Sequence, residues 1–85
     1  MTDAERVALA QQAKTLLDNA AFQAALDVHR QTLLDRFGAS EPGDAATWGE
    51  IHAELRALQG LKASLGGLLA GGDAILRRTK LRTIA

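Results

Sequence analysis

The sequence predicts an all-α fold: an antiparallel helical hairpin preceded by an alanine-rich helix. Three observations lead there. The apolar fraction of 47% is dominated by Ala and Leu, with two Phe, one Trp and no Tyr or Cys, and few aromatic or β-branched residues favour helices over strands. Two stretches carrying apolar residues at helical spacing flank one short loop. Finally, helix-start and helix-stop residues stand at the ends of each stretch.

The first helix is expected over about residues 3–18. Thr2-Asp3-Ala4-Glu5 fits a capping box, the Thr hydroxyl taking the amide three residues on and the Glu reaching back. The stretch is rich in Ala and Gln, and only Val7, Leu9, Leu16 and Leu17 are bulky. Such a face packs closely but anchors weakly.

Asp18-Asn19 reads as a stop and restart, with Asn19 an N-cap for a second helix over about residues 20–37 and Gly38 as its C′ residue. No Gly or Pro enforces the break, so one helix from Asp3 to Phe37 stays open as an alternative. Phe22, Ala25, Leu26, His29, Leu33 and Phe37 fall on one stripe of this second helix. Residues 38–44 form the clearest loop, with the only proline, Pro42, among glycines and small polar residues.

A third helix is expected over about residues 45–70, opened by a second capping box at Thr47-Trp48-Gly49-Glu50 or slightly earlier by Asp44, and ended by Gly71-Gly72. Trp48, Ile51, Leu55, Leu58, Lys62, Leu65 and Leu69 stand alternately 3 and 4 residues apart, an a/d seam suited to lying along another helix. The short loop folds the second and third helices back on one another. Pairing about its middle puts Leu33 near His52, His29 near Leu55 or Arg56, and Phe22 near Lys62. A separate side of the third helix carries Gly49, Ala53, Gly60, Ala63, Gly67 and Ala70, interrupted by Arg56. Small residues at that spacing admit a close second backbone, either the first helix or another copy of the chain.

Residues 1–70 are thus expected as one helical domain and 71–85 as a glycine-hinged basic extension. Ten basic and ten acidic residues cancel, but Arg77, Arg78, Lys80 and Arg82 make the end basic and the body acidic. Three readings of the extension stay open: docking on an acidic protein groove or a neighbouring copy, a disordered end, or phosphate contacts, the last least favoured since there is no aromatic ring on which a base stacks. The start lacks the basic and apolar regions of a secretory leader, and no apolar run is long enough for a membrane span.

No chemistry is indicated. Without cysteine there is neither disulfide nor thiolate site. His29 and His52 have no HExxH or Cys pattern to supply further zinc ligands, and His29 reads as a core or edge histidine. Ser40 and Ser64 lie in a loop and on a helix without a base held beside them. We therefore expect no enzyme activity, no metal and no cofactor. Lys62 fits the seam with its stem packed and its ammonium at the edge, or paired with a partner's carboxylate to set register.

Leu-Leu-Asp-Asn-Ala-Ala-Phe-Gln-Ala-Ala-Leu at 16–26, Leu-Leu-Asp at 33–35, Glu-Leu-Arg-Ala-Leu at 54–58 and Leu61-Lys62 behind it carry a resemblance. Over residues 16–65 the chain resembles short α-helical proteins of tailed-bacteriophage structural gene clusters, encoded near terminase and portal genes. Members of that group often have proline where Ala20 stands. The resemblance implies a virion or assembly component, in the particle or the host cytoplasm. It would pack on itself or on a head, portal or tail protein through Trp48 to Leu69 and the Gly60/Gly67 face. A small nucleic-acid-associated or regulatory protein, acting through Arg77, Arg78, Lys80 and Arg82, is the alternative.

Overall fold

The computed structural model describes residues 1–84, with the side chains of residues 83 and 84 left aside. It is all-helical, with no strand among the described residues: α1 (Asp3–Leu17), α2 (Ala20–Ala39) and α3 (Ala45–Ile84). These divide into two compact units. The first holds residues 1–19 and α3 from Ala63 onward; the second holds residues 20–62.

In the first unit, α1 begins at the expected capping box. The Glu5 amide donates to the Thr2 hydroxyl at 3.1 Å and the Thr2 amide to the Glu5 carboxylate at 3.4 Å, which satisfies two of the amides that a helix start leaves without partners. At its other end Lys14 pairs with Asp18, whose hydrogen bond and charge raise the lysine pKa. The helix stops there, the Asn19 amide donating to the Leu16 carbonyl at 3.1 Å. The break near Asn19 is therefore real and residues 3–37 are two helices.

The core of this unit is Ala10, Ala13 and Ile75. Gly72 brings the backbones together: a Cβ built on it would lie 2.1 Å from the Ala10 Cβ and 3.4 Å from the Arg6 carbonyl oxygen. This corrects the expectation that Gly71-Gly72 ends the third helix. The helix runs on to Ile84, and glycine is needed at 72 because a side chain does not fit there, not because the chain hinges. A glycine inside a helix lowers its stability by only about 1 kcal/mol against alanine, so the packing at Gly72 and Ile75 can carry the helix through the pair.

In the second unit Leu26, Leu33 and Ile51 are buried. The rings of Phe37 and Trp48 lie 5.8 Å apart at 47°, a tilted contact of favourable quadrupole geometry. The Trp48 indole N–H donates to the Ser40 hydroxyl at 2.7 Å. Arg36 lies 3.4 Å from Glu54 and 3.8 Å from Glu50, exposed pairs that add little stability.

One helix end differs from expectation, and at another the structure selects between the two caps that the sequence offered. α2 continues through Gly38 to Ala39, where Ser40 hydrogen-bonds the Phe37 carbonyl through both its amide and its hydroxyl. Gly43, not Gly38, takes the left-handed conformation, at φ 86°, so the turn that needs glycine is the one entering α3. Asp44, not Thr47, caps α3, accepting the Thr47 amide at 3.1 Å and the Thr47 hydroxyl at 2.6 Å. Because Asp44 precedes three helical residues, its carboxylate reaches the third amide, the usual N-cap geometry.

Candidate functional site

The seam residues fall into the two units. In the second, Ile51 is buried, Trp48, Leu55 and Leu58 are half-buried, and Lys62 is exposed. In the first, Leu65 and Leu69 are half-buried. The seam is thus largely occupied by the chain itself. Lys62 borders a groove of about 260 Å³ lined by Leu26, Asp27, Arg30, Leu55, Leu58 and Gln59, its charge at an open edge beside apolar walls, as a snorkelling lysine requires.

Sequence reasoning missed the seam's continuation. Three residues past Leu69 comes Gly72, then Ile75, and both are buried. The spacing is 3 and 3, where strict alternation points to the exposed Leu76, and a glycine pair reads as a stop when only side-chain size is weighed. Ala10 and Ala13 on α1, three residues apart, are the matching signal on the other helix.

The small residues of α3 lie on a different side from the seam. Gly60 and Gly67 are exposed, and a Cβ built on either meets nothing within 4 Å; the same holds for Gly49 and Gly71. Of the two neighbours the sequence allowed for the small-residue face, the first helix makes its close approach at Gly72, while Gly67, Leu68 and Gly71 border a groove with Met1 and Arg6. Leu61 and Leu68 stand beside these glycines, 46% and 42% exposed.

His29 and His52 are both exposed, so of the core and edge positions open to His29 the core is excluded. His52 edges an apolar groove of about 270 Å³ with Leu34, Phe37, Trp48, Ile51 and Leu55. Arg77, Arg78, Lys80 and Arg82 lie on α3, exposed, and form no ion pair among the described residues. No helix among the described residues is long and apolar enough to cross a membrane.

No family model, curated protein or solved structure matches the chain.

Proposed function

We propose that this chain is a non-enzymatic structural or assembly protein, a virion component of tailed-phage type that works in the particle or the host cytoplasm. In this reading α2 and the first part of α3 form an antiparallel helical hairpin. The chain acts by packing helix faces against copies of itself or against a head, portal or tail protein, without a cofactor.

One observation carries the reading. Among the described residues only four large apolar side chains are buried, Leu26, Leu33, Ile51 and Ile75, while Met1, Leu16, Val28, Leu34, Phe37, Leu61, Leu68, Leu76 and Leu81 are exposed. Single exposed apolar residues are ordinary, but an excess over the core is what a surface kept for partners looks like. The resemblance over residues 16–65 supplies the particle context.

The test is composition and gene order. Portal or terminase genes beside the coding sequence, and this chain in gradient-purified particles by mass spectrometry, are the expected results. A chain encoded away from such genes and missing from particles overturns the reading.

The exposed cluster Arg77, Arg78, Lys80 and Arg82 favours a second reading, a nucleic-acid-associated protein. Up to four phosphate contacts would give binding that falls steeply with salt. Salt-dependent DNA binding lost on replacing these four by Gln supports it; binding unchanged by those replacements excludes it.

A further inference from the structure

We propose that the groove between α2 and α3 in the second unit receives a helix of another protein, apolar along one face and acidic at one end; this rests on the assembly reading and names its partner's chemistry. Leu55 joins two stretches of this groove, of about 260 and 270 Å³. On α2 the groove is lined by Asp27, Arg30, Leu34 and Phe37, spaced 3, 4 and 3 apart. On α3 it is lined by Trp48, His52, Leu55, Gln59 and Lys62, spaced 4, 3, 4 and 3 apart. Heptad spacing on both walls makes this one lengthwise groove rather than two pits.

The two flanks of the α2–α3 contact differ. Arg36 falls outside the α2 stripe, and Glu50 and Glu54 fall outside the α3 stripe. Their ion pairs, at 3.8 and 3.4 Å, bridge the flank away from the groove. On the groove side no ion pair crosses among the described residues, and Leu34 and Phe37 are 39% and 51% exposed.

Size and charge choose the occupant. A small-molecule pocket spans about 300–1,000 Å³, and each stretch here is smaller. Together they follow α2 for about three turns, the length over which a groove takes the i, i+3, i+4 and i+7 anchors of a helix. Leu34, Phe37 and Leu55 make one end apolar. At the other end Arg30 and Lys62 are exposed and share the groove with Leu26 and Leu58. Neither cation has an ion pair among the described residues, not even with Asp27 beside them. Carboxylates on an incoming helix supply what the two cations lack. The groove is not complementary to itself: laid antiparallel on a second copy it sets Arg30 and Lys62 against the apolar end, and laid parallel it sets cation on cation.

The experiment titrates the full chain with a synthetic peptide of about 18 residues, long enough to hold helical structure. The peptide is alanine-based and free of tryptophan, with leucines at heptad spacing and two glutamates at one end. Trp48 is the chain's only tryptophan and lines the groove, so its emission should shift to the blue and saturate. The same peptide with lysine in place of glutamate should bind roughly tenfold more weakly. Leu34→Asp should abolish binding while helicity by circular dichroism holds. Arg30→Glu combined with Lys62→Glu should reverse the preference and take the lysine peptide over the glutamate one.

The absence of a saturable shift overturns the proposal, as does equal affinity for the two peptides or a double variant that still prefers glutamate. Self-association in sedimentation velocity that displaces the peptide also overturns it and assigns the groove to a second copy. A chain found in purified particles that does not bind the peptide leaves the assembly reading standing without this groove. Peptide binding by a chain absent from particles keeps the groove and removes the assembly reading.

Discussion

Gly72 packs so closely on Ala10 that a built Cβ would sit 2.1 Å from the Ala10 Cβ. The obstructing atom is not the end of a flexible side chain. It is fixed to the α1 backbone, and the Ala10 Cα at 3.6 Å and the Arg6 carbonyl at 3.4 Å stand on the same side. Gly72→Ala gains about 1 kcal/mol of helix propensity but incurs an overpacking penalty of about 1–3 kcal/mol, so we expect net destabilisation. Gly71→Ala, next to it in open space, should raise the melting temperature. Adding Ala10→Gly to Gly72→Ala should restore part of the loss. Circular-dichroism melts of the four chains check this, and equal shifts for Gly71→Ala and Gly72→Ala would sink it.

Ile75 and Leu76 are neighbours with opposite surroundings, 5% and 49% exposed. If the segment past Gly72 belongs to the core, Ile75→Ala leaves a cavity costing about 2–4 kcal/mol. Leu76→Ala should stay within about 0.5 kcal/mol, as surface changes do. Urea unfolding followed by circular dichroism at 222 nm separates the two. A basic extension lying off the core would make both substitutions harmless.

Much of the helical plan was legible because its signals are local. The Thr2–Glu5 box placed the start of α1, and the Pro42-containing loop placed the gap before α3. What the sequence hid was the meaning of its glycines. Gly38, Gly43, Gly71 and Gly72 all read as punctuation, yet only Gly43 has a positive φ and only Gly72 has a close neighbour. Which glycine serves a turn and which a helix contact depends on Ala10, sixty-two residues away in the chain. Local propensity carries no term for that.

Leu33, the most fully buried large side chain at 1% exposure, should govern the second unit. Leu33→Ala is expected to cost about 2–5 kcal/mol. Ser40→Ala, which removes the acceptor of the Trp48 indole N–H, should cost only about 1 kcal/mol. Trp48 is the sole tryptophan and lies in this unit, so its fluorescence in urea follows both. A larger loss for Ser40→Ala than for Leu33→Ala would contradict the burial pattern.

Asp44 ties the second unit to pH. The Thr47 hydroxyl, and then the Thr47 amide, donate to its carboxylate and lower its pKa below the ordinary value. A depressed carboxylate stabilises the fold above the unfolded-state pKa, and the contribution is lost as pH falls through the folded-state pKa. The contribution should therefore be complete at pH 7 and pH 5 and decline below about pH 4. Asp44→Asn keeps an N-cap acceptor but has no charge to lose, so the wild-type advantage over it should be flat down to about pH 5 and vanish in acid. Asp44→Ala should be weaker than both at pH 7, because it has neither acceptor nor charge. Trp48 fluorescence melts of the three chains from pH 7 to pH 3 decide the matter, and taking differences removes the other carboxylates that titrate in the same range. An advantage over Asp44→Asn that grew on acidification would reverse the sign and rule out Asp44 as the charged cap of α3.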